Sequence, residues 1–161
     1  MKIDLALEEL HRSENDLAGQ LLVVSDRHKA DHEIFHMARD LAAWSQGHVR
    51  KIAAIGGKYG LELDDEPEGD PTILQKMRQE IGDRLGRRSA PALMLLRDLR
   101  SIYMDAQGVS VDWELIGQGA QGVRDKELLD LAQTCRPETL RQAKWANAQL
   151  KEKATQILVS S

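Results

Sequence analysis

The stretch IFHMARDLAAWSQGHVRKIAAIGGKY, residues 34–59, decides the fold. Within it Ile34, Ala38, Leu41, Ser45, His48, Ile52, Ile55 and Tyr59 recur in alternating steps of four and three, which sets them along one buried stripe of a long helix. Ser45 and His48 break the apolar rule. They stand one turn apart where a core helix carries leucines, and a buried hydroxyl or imidazole is costly without a partner. Trp44 is expected at the edge of the stripe, with Leu41, Ile52 and Ile55 in the core.

Upstream, Ile3, Leu7, Leu10, Glu14, Leu17, Leu21, Val24 and His28 repeat the spacing and define a first long helix, with an ionisable Glu14 between leucines. The polar stretch Ser25 to Asp31 is too short for anything but a tight connection, so the two helices are antiparallel neighbours. Asp31 is placed to cap the second helix by accepting from an amide near Ile34. His28, His32 and His36 would have metal-ligand spacing on one unbroken helix. The turn must fall among them, so they are expected at a solvated junction.

Gly56, Gly57 and Gly60 end the second helix, and Leu61 to Gly69, acidic and containing Pro67, reads as surface loop. Asp70 and Pro71 start a shorter amphipathic helix, Asp70 to Leu85, with Leu74, Met77, Ile81 and Leu85 in one stripe. Gly86, Arg87 and Arg88 break it, and Ser89 with Pro91 opens a third long helix. Its seam is Leu95, Leu99, Ile102, Ala106, Val109, Trp113, Ile116, Ala120 and Val123, with Asp105 at the inward edge. Gly108, Gly117, Gly119 and Gly122 on that helix point to close helix approach. Asp125 caps a fourth helix through Leu128, Leu129 and Leu131. Pro137 predicts a kink or a break at Arg136–Pro137. Beyond it Leu140, Ala143, Ala146, Leu150, Ala154 and Ile157 are expected to face inward, with Trp145 at the core edge.

The 161 residues, 42% hydrophobic and 30% charged, suit one globular domain spanning 1–161. A net charge of -4 and a pI near 5.7 argue against binding a phosphate backbone. No apolar run approaches the roughly 18 residues of a membrane span. Met1 to Leu10 carries acids and lacks the basic-then-apolar order of a signal peptide. The expectation is a cytoplasmic protein with neither nucleic acid nor membrane as partner. Cys135, alone, forms no intrachain disulfide and is read as a small buried hydrophobe. No exposed apolar stripe is evident to mark an interface, although bundles of this kind commonly form homodimers.

Four long helices in two close antiparallel pairs, with a helix in the long connection between the second and third, describe an all-α up-down bundle. At this level the chain resembles the ferritin-like superfamily in its rubrerythrin and bacterioferritin branch. There each half supplies a glutamate from one helix and a Glu-x-x-His from the next. The resemblance puts Glu14 at the first lone glutamate and Ser45-Gln46-Gly47-His48 at the first motif. It puts Asp105 at the second carboxylate and Glu138-Thr139-Leu140-Arg141 at the second motif. Glu14, His48, Asp105 and Glu138 are thus the metal candidates that the resemblance implies. Ser45 and Arg141 are departures that remove one bridging carboxylate and one imidazole.

A guanidinium cannot deprotonate, so Arg141 is expected to pair with Glu14, Asp105 or Glu138 in an ionic network that replaces the metal. Arg141→Leu is then the damaging substitution and His48→Leu the tolerated one. This reading expects a non-catalytic binding or structural role and no cofactor. Its alternatives are one iron or manganese ion held by Glu14, His48 and Glu138, a small-molecule pocket formed by these groups, and a phosphotransfer bundle with His48 as the acceptor. Glu14 and His48 are expected to face each other across the first two helices.

Overall fold

The computed structural model describes residues 2–67 and 91–160. Among these residues the chain is all helical, with no strand: α1 (Ile3–Arg27), α2 (His32–Gly56), α3 (Pro91–Val123) and α4 (Lys126–Val159), plus one 3-10 turn at Gly57–Tyr59. The short helix expected over Asp70 to Leu85, with its Gly86 to Arg88 break and Ser89 cap, lies outside the described residues. No helix in the described part is long and apolar enough to cross a membrane.

The helix ends follow from local chemistry. Asp31 accepts from the Ile34 amide at 3.2 Å and Asp125 from the Leu128 amide at 3.1 Å, so each satisfies a donor that the first turn leaves open. After α2 and its 3-10 turn, Gly60 is left-handed at φ 77. The Leu61 amide returns to the Gly56 carbonyl and the Gly60 amide to the Gly57 carbonyl, both at 3.1 Å, a glycine-terminated end of Schellman type.

Side-chain pairs fix the direction of each of the four described helices. Glu14 meets His48, and Ser25 donates to the Phe35 carbonyl, so α1 and α2 are antiparallel. Arg27 and His28 reach Asp98 while Ile3 lies against Gly119, so α1 and α3 are antiparallel. Asp31 pairs with Lys153 and Tyr59 with Asp125, so α4 runs against α2. The course is up, down, down, up, and the end of α2 and the start of α3 lie at opposite ends of the bundle.

The seams of α1 to α3 match their heptads. Leu7, Leu10, Leu17 and Leu21 meet Leu99, Ile102, Val109, Trp113 and Ile116 in one core with Ile34, Leu41 and Ile52. Trp44 is half-buried at its edge, Tyr59 likewise, and Val123 is exposed. Of the glycines on α3, Gly117 faces the Ala132 methyl and Gly119 faces Ile3, while Gly108 and Gly122 have open space beside them. Close approach therefore explains two of the four. On the outer face of α3, Met104, Val111 and Leu115 are exposed at seven- and four-residue intervals, an apolar stripe that the pattern did not reveal.

The fourth helix departs from expectation in two ways. It runs as one element through Pro137, so it does not divide into two abutting helices there, and Pro137 lies on the exposed face. Its buried stripe is Leu128, Ala132, Cys135, Thr139, Gln142, Ala146 and Gln149, with Ala143 beside it. Leu140, Leu150, Ala154 and Ile157 are only partly buried. The heptad set by Leu128 continues through the proline, and large apolar side chains on one flank do not override it. Polar groups are consequently carried into the core, and of the buried α4 residues only Leu128 is a large aliphatic one. This register predicts that Leu99→Ala costs about 2–5 kcal/mol through cavity formation, whereas Leu140→Ala costs under about 1 kcal/mol. Urea denaturation of the two variants reads the difference.

Candidate functional site

At mid-bundle one carboxylate collects a group from each of the other helices. Glu14, on the inward stripe of α1, is 0% exposed. Facing it across the α1–α2 seam, the His48 imidazole places Nδ1 3.2 Å from both carboxylate oxygens. From α3, Trp113 donates its indole N–H to Glu14 Oε1 at 3.0 Å. From α4, the Thr139 hydroxyl bonds the Cys135 carbonyl at 3.0 Å and stands 3.5 Å from the same Oε1. The His48 and Trp113 rings meet edge to face, 5.9 Å between centroids at 84°. Glu14 and His48 thus meet as the heptad count requires.

The charge state follows from the partners. Burial disfavours the imidazolium, but the neighbouring Cys135 sulfur and the Glu14 carboxylate outweigh it and push the His48 pKa up to about 10. The result is a desolvated ion pair, neutral overall, with two further donors on or near the carboxylate. A partner stripped from such a pair leaves a buried charge, which is where its energetic weight lies.

Ser45 does not belong to this cluster. Gln142 of α4 donates to the Ser45 hydroxyl at 2.9 Å and to the Leu41 carbonyl at 2.8 Å. Glu138 is at the rim, with Oε1 3.7 Å from His48 Nε2. Asp105 is exposed at the rim of the outer α1–α3 groove beside Asp16, where partial desolvation by the groove walls and then the Asp16 charge hold its pKa above the usual carboxylate value. It is far around the helix from the seam residue Ala106, because one residue is a rotation of about 100°. Arg141 is exposed as well, since the inward position falls on its neighbour Gln142. The expected pairing of Arg141 with a buried carboxylate is therefore corrected: the cation that neutralises Glu14 is His48.

The residues do not fit the two-iron centre that the resemblance implies. Asp105 and Arg141 point to solvent, and a Trp113 N–H, which cannot ligate, occupies a lone pair of Glu14. A single ion held jointly by Glu14, His48 and Glu138 meets a geometric obstacle. Glu14 lies on the Nδ1 side of the ring and Glu138 on the Nε2 side, so the two carboxylates do not converge. Among the described residues no group of three or more His, Cys, Asp or Glu is arranged to hold a metal ion. His28 is tied to Asp98 at 2.6 Å, while His32 and His36 are exposed, which makes the histidine run a junction and not a site.

Trp113, Thr139 and Cys135 in the cluster, and Gln142 as the partner of Ser45, are the residues that residue-type reasoning passed over. The signal was present for the three on α4, since 135, 139 and 142 continue the spacing of 128 and 132. Nothing in the sequence aimed the Trp113 indole at Glu14. Searches against protein-family models, curated proteins and solved structures find no match.

Two outcomes are expected from this geometry. His48→Leu strands the Glu14 carboxylate and destabilises by about 3–5 kcal/mol, while Arg141→Leu leaves the thermal midpoint unchanged. This reverses the order expected from sequence. The pH dependence has a defined sign. With a raised folded pKa the native state binds more protons than the unfolded one above the ordinary histidine value, so this stabilisation is complete below about pH 6.5 and is lost as pH rises toward 10. The gap in thermal midpoint between wild type and His48→Gln is expected to shrink between pH 7 and pH 10.

Proposed function

We propose that this chain is a single ferritin-like bundle domain in which a buried ion pair stands where related bundles hold metal, and that it serves a non-catalytic structural or binding role. The up-down-down-up course supports the connectivity, since it calls for a long crossover between α2 and α3. Glu14 and His48, at the positions of a lone glutamate and a motif histidine, support the site correspondence. The observation that carries the reading is the indole N–H of Trp113 on Glu14 Oε1 at 3.0 Å. A carboxylate that accepts from an indole and an imidazolium is bonded as a structural anion.

Catalysis lacks support from the same geometry. His48 is 1% exposed and its Nδ1 is committed to Glu14, which supports the structural reading over the phosphotransfer one. One observation favours a second reading, a mononuclear iron or manganese site. Among the described residues His48 Nε2 has no hydrogen-bond partner, and it lies 3.7 Å from Glu138 Oε1. Imidazoles that ligate through one nitrogen commonly donate the other to a carboxylate.

Metal analysis separates the two. Protein purified without a polyhistidine tag is expected to carry metal well below one equivalent, and its thermal midpoint is expected not to move with added iron or manganese. Stoichiometric metal, or a midpoint raised by metal in wild type and not in His48→Leu, gives the site to the second reading.

A further inference from the structure

The four seams of the bundle are not equivalent. Along α1–α3, Leu7, Leu10, Leu17 and Leu21 share one core with Leu99, Ile102, Val109 and Ile116. The polar contacts there are Ser13 donating to Asp112 at 2.9 Å and, at the far end, Arg27 gripping both oxygens of Asp98 at 2.8 Å and His28 2.6 Å from it. Along α2–α4, polar contacts run from end to end. Lys153 pairs with Asp31 at 3.0 Å and Gln149 donates to Glu33 at 2.8 Å. Gln142 bonds Ser45 and the Leu41 carbonyl, and Tyr59 donates to Asp125 at 2.5 Å.

Among the described residues the same seam carries three buried polar atoms that lack a hydrogen-bond partner, His48 Nε2, Gln142 Oε1 and Gln149 Oε1, against Arg27 Nη2 at the end of the α1–α3 seam. Such atoms change the cost of separation. A satisfied buried group exchanges one bond for another when water enters, but an unsatisfied one gains a bond that it did not have. Apolar area resists opening in proportion to its size, and α4 supplies little of it here. Its buried stripe is alanine, cysteine, threonine and glutamine, with Leu128 as the one large aliphatic side chain.

We propose that the bundle opens along the α2–α4 seam, with the apolar α1–α3 seam as its hinge. The motion separates the α1–α2 hairpin from the α3–α4 hairpin on one side only. Glu14 keeps His48, which belongs to its own hairpin, and keeps Trp113, which sits across the hinge. The opening line passes between His48 on one side and Cys135, Glu138 and Gln142 on the other. Water and small solutes then reach an imidazole edge and the chain's single thiol, both closed off in the packed state. This inference does not depend on whether the site is metal-free.

Cys135 reports the motion directly, because it is buried in the α4 stripe and no other thiol competes. A maleimide is added to the whole protein in native buffer and at low urea, and alkylation is followed by mass. The wild type is expected to label about tenfold or more faster than its global unfolding equilibrium allows, with a shallow urea dependence, as for sub-global opening. Lys153→Ala removes a contact at the far end of the opening seam and is expected to speed labelling about threefold. Arg27→Ala removes a comparable pair on the hinge and is expected to leave the rate unchanged. Labelling that tracks global unfolding with its full urea slope overturns the proposal. Equal effects of the two variants, or none from Lys153→Ala, overturn it in favour of local breathing around Cys135. Metal content does not enter these rates, so their failure is separable from that of the proposed function.

Discussion

A carboxylate buried among leucines must find a cation and enough donors within its own shell, and the way Glu14 meets that demand ties together all four helices. The cation comes from α2, an indole donor from α3 and a nearby hydroxyl from α4. Apolar heptads tolerate sliding by a turn or a heptad with modest loss, since one leucine substitutes for another. A carboxylate, an imidazolium and an indole do not interchange, so the network selects one register from several of similar apolar burial. Its value to the fold lies in that selection more than in net energy, because the desolvation of two charges offsets much of their attraction.

The network also explains the composition of α4. Its inward positions facing the ion pair are small or polar, which leaves room for His48 and Trp113 at mid-bundle and extends hydrogen bonding along α2. That choice leaves the α2–α4 seam with little apolar adhesion while α3 and α4 approach closely, as the Gly117–Ala132 contact shows. The bundle therefore combines three cohesive seams with one held by polar pairs. Stability and access are divided between different faces of the same core.

The imidazole is the point at which structure and chemistry part. One ring nitrogen is fixed by Glu14 and the other faces Glu138 and the α2–α4 seam. A ring held this way has an orientation set by the carboxylate behind it and an affinity for its proton raised by the Cys135 sulfur together with that carboxylate. Such an arrangement serves a structural ion pair directly. What else reaches the free nitrogen is decided by how far the seam parts.

Within the described residues, the sequence alone determined the four long helices, the caps Asp31 and Asp125 and three of the four buried stripes, because amphipathic spacing and capping depend on neighbours within a few residues. It also determined that Glu14 and His48 meet, since a short turn at Ser25 to Asp31 leaves two antiparallel heptads only one way to align. It did not determine which residues of α4 face inward. There the largest apolar side chains, Leu140 and Leu150, lie beside the heptad and not on it, and residue type misled where spacing from Leu128 was right. Asp105 and Arg141 were assigned to the site by correspondence, and a single residue of helical rotation carried each of them to solvent. The Trp113 bond to Glu14 and the polar character of the α2–α4 seam are contacts between segments far apart in the chain. Only tertiary packing decides them, because no local preference specifies which helix faces which across a core.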